Sequence, residues 1–542
     1  MARVAVIADR DGLAEPLIHT LRQSPHVERC ERITDDRAFE SFDTIVYSAL
    51  PAHGGSMGPD LESARGVCAR FASLPLTQIV VVSSAAVYGA DHHNAGLLDE
   101  TAFIAEGRSE IADGWQTVER LTSVIGESTA VRTLLRPAAV LDGADYFSRL
   151  LTGRVAITYP GFDPTLQFLS PTDLASAAST AIERRAEGVY NVAPAGAIPL
   201  RQALHAAGVR RLPLPRLIQR AVRSITAPAG LSVPTDQLKY IQYSWTVSGE
   251  KIRRELGFNP SRSSAGAILE LIGRGPGEGR ADVAAEKFDA FGMDPSYIAR
   301  YCGHLFHLLH QYYWRIEVSG LEHVPPRGRG VLVGMHRGFM PFDGVMALYA
   351  LVHRASRIPR FLIHPSLTKF PFLADFMAKL GGIMACQENA DYVLQRDELL
   401  GVFPEGIRGA FRPYTRAYTL GKFGRDEFVR MALRNRAPLL PFVTVGSAEI
   451  FPIVGRIDWS AFKRYTEWPF LPITVPFPLP SKWHTQFLPP IHVDTTYPPE
   501  AAEDPEVVRL ISLDVRRRMQ AAIDDMRSRR RSIFFGALSP RP

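Results

Sequence analysis

Short, wholly apolar runs that stop at a charged or glycine-bearing turn recur along this 542-residue sequence, and they restrict its fold more than any other feature. Val4-Ala5-Val6-Ile7-Ala8 gives way to Asp9-Arg10-Asp11-Gly12, and Ile79-Val80-Val81-Val82 gives way to Ser83-Ser84. Val331-Leu332-Val333-Gly334-Met335 breaks in the same manner at His336-Arg337-Gly338. Such runs, too short for helices and without polar alternation, describe strands buried on both faces, the kind found in parallel sheets covered by helices. Helical patterns separate them, so the amino-terminal part is expected to run strand 4–8, helix 13–23, strand 44–48, helix 61–72 and strand 79–83. That alternation predicts an α/β fold with a doubly wound parallel sheet.

One core cannot serve a chain of this length, which suggests about two to four domains. Gly273-Arg274-Gly275-Pro276-Gly277-Glu278-Gly279-Arg280 has the composition of a flexible linker. Domains are therefore expected at 1–272 and 284–542, joined by 273–283. Hydrophobic content of 46% with 22% charged residues marks a folded protein rather than a disordered one. The net charge of +6 suits an anionic lipid surface or an anionic cofactor, and without a basic motif it does not indicate nucleic acid. Four widely spaced cysteines suggest a reducing compartment and no structural zinc. Met1-Ala2-Arg3 leads directly into a strand and no window reaches 18 apolar residues, so a cytoplasmic protein, peripheral on the inner membrane face, is expected.

The chemistry concentrates between 331 and 409. Pro is tolerated at the first helical position, so Pro341 is expected to start a helix continuing through Val345, Met346 and Leu348. Asp343 then lies in the first turn and His336 in the loop before it. Free N–H groups and the helix dipole favour a carboxylate there, and it can hold one imidazole nitrogen while the other takes a proton. This is a general base with its orienting acid, the arrangement that activates an alcohol. Downstream, Val402-Phe403-Pro404-Glu405-Gly406-Ile407-Arg408-Gly409 ends a second buried run. Arg408 at a glycine-bearing turn suits a phosphate through paired N–H donors, with Arg337 and Lys422 as further candidates for anionic groups.

These two boxes, followed by Pro438-Leu439-Leu440-Pro441, resemble the four-block pattern of the glycerolipid acyltransferases, the lysophospholipid and 1-acylglycerol-3-phosphate acyltransferase superfamily. The resemblance covers roughly 288–493 by the order of its blocks. It implies an α/β acyltransferase domain that takes a fatty acyl group from acyl-CoA or acyl carrier protein to a hydroxyl of a lipid acceptor, without metal or cofactor. His336 and Asp343 would be catalytic, and Glu405, Gly406 and Arg408 would bind the acceptor. Three departures stand out: six residues separate His336 from Asp343 where four are usual, Ile407 replaces a usual Ser or Thr, and the block at 381–389 lacks its usual arginine.

Val80-Val81-Val82-Ser83-Ser84-Ala85-Ala86-Val87-Tyr88-Gly89, with Leu135-Arg136-Pro137 and Gly188-Val189-Tyr190-Asn191-Val192, resembles the extended short-chain dehydrogenases and NAD-dependent epimerases across most of 1–272. The resemblance implies a Rossmann-like fold and makes Gly12, Ser84 and Tyr88 candidate NAD(P) contacts. Its glycine-rich turn is replaced, however, with Ala8, Asp11 and Ala14 at the glycine positions, and its catalytic tyrosine and lysine fall on Ile111 and Trp115. A non-catalytic relative is expected, the alternative being an NAD(P)-dependent oxidoreductase, a nucleotide-sugar epimerase or a bifunctional enzyme. Oligomeric state is left open.

Helices are expected at 298–314, 426–435 and 507–526, and a buried strand at 439–445. The stretch 468–490 carries seven prolines among aromatics and cannot be helical. Two readings compete for it: packing on the domain, or aromatics at a lipid headgroup level. Arg527-Ser528-Arg529-Arg530-Arg531-Ser532-Ile533-Phe534-Phe535 joins a basic cluster to apolar residues, which suits an anionic membrane surface; a solvated tail is the competing reading.

Overall fold

The computed structural model describes residues 1–33, 41–51, 55–71, 74–92, 94, 96–102, 104, 107, 109–125, 130–160, 162–194, 196–214, 236–273, 289–364, 367, 370–424, 426–466 and 468–540. The chain divides into two units, Met1–Met293 and Asp294–Pro542. The expected linker beyond Gly273, and the expected domain start at 284, lie outside the described residues.

In the first unit, strands β1 (Ala2–Ile7), β2 (Val27–Arg32), β3 (Thr44–Ser48), β4 (Gln78–Val82), β5 (Val131–Pro137) and β6 (Gly188–Val192) form one sheet in the order β2-β1-β3-β4-β5-β6. Every pairing in it is parallel. Helices α1 (Asp11–Gln23), α2 (Leu61–Phe71), α3 (Glu110–Thr122), α4 (Tyr146–Thr152) and α5 (Pro171–Glu183) connect or flank these strands. Because successive side chains of a strand point to opposite faces, the sheet builds two cores. Ala5, Ile45, Tyr47, Ile79 and Val81 pack with Val67 and Phe71 of α2 and Trp115 of α3. Val4, Val6, Val46, Val80 and Val82 pack with Leu13, Leu17 and Leu21 of α1 and Leu174 of α5. Helices thus cover both faces, the Rossmann-like doubly wound arrangement, and the strand order reverses direction between β1 and β3. The sequence pattern does not reveal β2: Val27-Glu28-Arg29-Cys30-Glu31-Arg32 is an edge strand pairing only with β1, and it needs no apolar face.

In the second unit, β7 (Glu317–Ser319), β8 (Gly330–Gly334), β9 (Pro359–Ile363), β10 (Ile383–Met384), β11 (Leu399–Val402), β12 (Leu439–Val445) and β13 (His484–Phe487) form a sheet in the order β7-β13-β12-β8-β11-β9-β10. Only the β12–β13 pairing is antiparallel. The register that positions the site is central: Val333 pairs with Val402 on one side and Pro441 on the other. β8 and β11 therefore end side by side, and the turns carrying His336 and Glu405 leave the same edge of the sheet.

The helices of this unit include α6 (Phe342–Arg354), α7 (Pro371–Lys379), α8 (Gln387–Gln395), α9 (Ile407–Ala410), α10 (Glu427–Arg434) and α11 (Pro505–Arg529). The segment expected as one helix at 298–314 begins as a regular α-helix over Pro295–Tyr301, where Asp294 caps it through the N–H groups of Ser296 and Tyr297. It continues as π-helical turns at Cys302–Phe306 and Leu309–Tyr313. The proline-rich stretch is not helical; it supplies a strand at Leu471–Ile473 that pairs with Gly455–Ile457, and then β13. Its aromatics divide, since Trp483 and Phe487 are buried and Phe477 is exposed.

Candidate active site

His336 follows β8 by two residues, and its Nδ1 lies 3.0 Å from Oδ2 of Asp343. The Asp343 side chain is fully buried, whereas that of His336 retains 16% exposure. Asp343 Oδ2 also accepts the backbone N–H of Arg337 at 2.7 Å, so it is held both from the loop and from the first turn of α6. Pro341 caps that helix, which begins one residue later at Phe342.

Six intervening residues do not prevent the contact, because the backbone turns left-handed at Gly338 and Phe339, with φ of 78° and 63°. Those residues form a tight loop closed by the Met340 N–H on the Gly338 carbonyl at 2.6 Å. A Cβ at Gly338 would stand 2.6 Å from the Ser447 carbonyl oxygen, so this position requires glycine twice over. The imidazole ring rests against Phe403, 5.3 Å between centroids, and its Nε2 is left facing away from Asp343.

The second box is organised around a buried carboxylate. Glu405 Oε2 lies 2.7 Å from Nη1 of Arg337, with side chains 3% and 1% exposed. Its Oε1 accepts from Arg412 Nε at 3.2 Å and from the Gly421 N–H at 2.6 Å. Arg337 also donates to the carbonyl oxygens of His336 at 2.7 Å, Gly409 and Thr419 at 3.4 Å, and Ala417. Neither Arg337 nor Glu405 is therefore presented to a ligand; together they bind the two boxes to each other. Gly406 turns the chain into α9 at φ 56° and ψ −151°, a conformation open to glycine. Arg408 and Lys422 are exposed, and Arg408 has no ion-pair partner among the described residues.

Arg412 is a member of this constellation that sequence reasoning missed. A signal was present in Gly421: a Cβ there would lie 2.9 Å from Glu405 Oε1 and closer still to the Arg412 guanidinium. Only glycine lets its N–H approach the carboxylate so nearly.

His336 opens into a cavity of about 290 Å³. Its wall is nearly all apolar: Val345 and Leu348 of α6, Phe361 and Ile363 of β9, Met377 of α7, Phe403, Ile407, Phe428, Met431 and Trp468. The charged residues that line it, among those described, are Asp426 and Glu427. Trp468 also packs on Phe339 and Phe411, at 5.1 and 5.3 Å, so part of the proline-rich stretch closes this cavity.

In the first unit, the crevice beyond β1 and β3 is where a doubly wound sheet would hold a dinucleotide. Arg10, in the turn between β1 and α1, instead makes an ion pair to Asp142 at 2.6 Å, their side chains 6% and 1% exposed. A Cβ at Gly12 would lie 2.3 Å from the Asp142 carbonyl oxygen, so the close approach that glycine allows is taken up by the chain itself. Asp145 adds a second carboxyl, pushed up to about 7 by burial and by neighbouring Asp142. Ser84 caps the short helix Ala85–Tyr88 through the Ala86 N–H. Tyr88 donates to Asn191 and accepts from Arg136, both at 2.9 Å, and Arg136 is bound in turn to Glu119. All three candidate cofactor contacts thus face internal partners. Trp115 and Ile111 are buried, with the indole N–H on the Met57 carbonyl. These residues do not fit a bound NAD(P).

An acyltransferase family model matches residues 315–445, a span that includes both boxes. An uncharacterized protein of Mycobacterium tuberculosis, Rv0502, is 33% identical over 357 residues, covering 63% of this chain and 98% of the relative. Phytyl ester synthase 1, chloroplastic, of Arabidopsis thaliana is 31% identical over 143 residues, covering 25% of this chain and 20% of that protein. Among solved structures, UDP-glucuronic acid 4-epimerase from Bacillus cereus in complex with UDP-glucuronic acid and NAD gives a TM-score of 0.40 at 14% identity, covering 50% of this chain and 98% of that one.

Proposed function

From the premise that this chain belongs to the family of the mycobacterial protein Rv0502 and contains an acyltransferase domain, we propose that it moves a fatty acyl group from acyl-CoA or acyl carrier protein to a lipid hydroxyl. The observation that carries this reading is His336, oriented by a buried carboxylate at 3.0 Å and set in the wall of an apolar cavity. Asp343 holds Nδ1 protonated, so Nε2 is the basic nitrogen. His336 Nε2 removes the proton of the acceptor hydroxyl as its oxygen attacks the thioester carbon. The carbon–sulfur bond then breaks, and the imidazolium returns its proton to the thiolate, leaving an ester and a free thiol. Asp343 stabilises the imidazolium between the two steps. No metal or redox cofactor enters this sequence.

The acceptor is an uncharged lipid alcohol in this reading. Ile407 makes the wall apolar where a hydroxyl residue is usual in the resembled family, and Asp426 and Glu427 oppose an anionic headgroup there. The Arabidopsis relative, whose name describes synthesis of phytyl esters, is consistent with such an acceptor. Arg408, exposed beside Gly406, and Lys422 remain for the anionic part of the donor, while Arg337 and Glu405 position the two boxes. In this reading the reaction takes place at the cytoplasmic face of a membrane, where lipid acceptors reside. An NAD(P)-dependent reading of the first unit is set aside because Arg10, in the turn between β1 and α1, is tied up in a buried ion pair with Asp142, and Asp145 adds a further carboxyl beside it.

Purified full-length protein incubated with radiolabelled long-chain acyl-CoA and a panel of long-chain alcohols, monoacylglycerol, diacylglycerol and lysophospholipids tests the proposal. Labelled ester is expected with the uncharged acceptors in preference to lysophosphatidate. Lysophosphatidate as the preferred acceptor overturns the acceptor class; no ester with any acceptor from either acyl-CoA or acyl carrier protein overturns the reaction.

A further inference from the structure

A second cavity of the acyltransferase unit, about 710 Å³, is polar and cationic. Arg315, Arg354, Lys482 and Arg529 line it, with Glu317 as its acidic member. Lys482 is neutralised by Glu317 at 2.8 Å and Arg529 by Asp525 at 3.0 Å. Arg315 instead donates to the carbonyl oxygens of Tyr312 and Phe534, at 3.5 and 2.5 Å, and exposed Arg354 has no ion-pair partner among the described residues. Two guanidinium charges therefore remain uncompensated at this opening.

The surface around it is apolar and exposed. Leu308, between the two π-helical turns, and Tyr312, in the second, are exposed, as are Phe534 and Phe535 after α11; Tyr312 and Phe535 are each 69% exposed. These residues are not on a loose tail. The Lys482 N–H bonds the Ile533 carbonyl at 2.8 Å, the Ser539 N–H bonds the Arg529 carbonyl at 3.0 Å, and the Arg315 guanidinium lies 5.1 Å over the Phe535 ring. The backbone after α11 is thus fastened to the unit while its aromatic side chains stay in water, an arrangement that leaves apolar area unburied without a partner.

We propose that this face docks on a bilayer containing anionic phospholipid. The cavity takes lipid phosphates against Arg315 and Arg354, and Leu308, Tyr312, Phe534 and Phe535 enter the boundary between headgroups and acyl chains. Charge complementarity selects this occupant: a second copy related by a two-fold axis would bring the same uncompensated arginines together, whereas anionic lipid neutralises them. Among the described residues no helix is long and apolar enough to cross a membrane. The surface does not depend on the acyl-transfer reading, and binding is measured without turnover.

Full-length protein is sedimented with vesicles of phosphatidylcholine alone and of phosphatidylcholine with about 30 mol% phosphatidylglycerol, which gives the surface a negative potential. Preferential binding to the anionic vesicles, weakened by salt, is expected. Arg354→Ala should reduce that affinity roughly five-fold, the effect of one cation near an anionic surface. Phe534→Ser with Phe535→Ser should reduce it by roughly ten-fold or more through lost apolar burial. Arg354 sits at an exposed helix end, so its variant remains informative if the double variant does not fold. Equal binding to both vesicles, undiminished anionic binding by Arg354→Ala, or a dimer in lipid-free solution that Phe534→Ser with Phe535→Ser dissociates would overturn the proposal.

Discussion

Replacing Glu405 by Gln separates the two roles this residue can have. In the resembled family it helps to hold the acceptor; in this structure its carboxylate is 3% exposed and bound to Arg337, Arg412 and the Gly421 N–H. Removing one partner of a buried ion pair leaves the other charge uncompensated, at a cost of about 3–5 kcal/mol. Glutamine keeps the shape and one carbonyl oxygen, and Arg337 keeps its backbone carbonyl acceptors, so a value of about 3 kcal/mol is expected. For a unit the size of Asp294–Pro542, each kcal/mol moves the melting midpoint by roughly 2–4 °C, giving a fall of roughly 6–12 °C. Thermal unfolding followed by circular dichroism measures it, beside steady-state kinetics with donor and acceptor varied in turn. Arg337→Met combined with Glu405→Leu should lose less than the sum of the single changes, since the pair acts as a unit. An unchanged midpoint with a raised acceptor KM would refute the reasoning and return Glu405 to the substrate.

Further expectations concern the two units separately. Burial, with Arg354, His307, His353 and Lys482 nearby, lowers His310 to about 4 from an ordinary 6.5, and neither ring nitrogen has a hydrogen-bond partner. Its folded value lies below its unfolded one, so stability present above pH 6.5 should decline as pH falls toward 4; urea midpoints across that range should fall less steeply for His310→Leu than for the wild type. Gly338→Ala should lower both thermal midpoint and turnover, because it places a methyl 2.6 Å from the Ser447 carbonyl at a left-handed position; unchanged turnover would show that the loop can relax. Full-length protein titrated with micromolar NADPH should show no saturable nicotinamide fluorescence change, since the buried Arg10–Asp142 ion pair closes the turn between β1 and α1; tight binding with turnover would make the chain bifunctional.

Strands buried on both faces were the most legible elements. The ranges expected at 44–48 and 439–445 are those of β3 and β12, because an apolar run leaves little choice of partner. Edge strand β2 was not legible, since solvent on one side removes the need for apolar residues. The π-helical turns after Tyr301 were also invisible, as an aromatic-rich stretch has similar periodicity in either helix. At the site, His336 and Asp343 could be read as a pair from Pro341 and the helix start, and Gly338 signalled the turn between them. Nothing marked Phe339 as left-handed. Glu405 was read as an acceptor contact from the family resemblance and Arg337 as a candidate for anionic groups from its charge; only the three-dimensional arrangement reveals them buried against each other. The chain after α11 divided two readings for a related reason, since composition reports its charge but not the bonds from Lys482 and Arg315 that fix it.

The central claim is that His336 is the base of an acyl transfer, and turnover by His336→Ala in the full-length chain tests it most directly. His336 is on a loop and partly exposed, and Asp343 keeps the Arg337 N–H at 2.7 Å, so the variant should remain folded with a modestly lowered melting midpoint. Ester formation should fall by about a hundred- to ten-thousand-fold, with Asp343→Asn in the same direction and milder. A folded His336→Ala protein that esterifies the preferred acceptor at close to the wild-type rate would contradict the account.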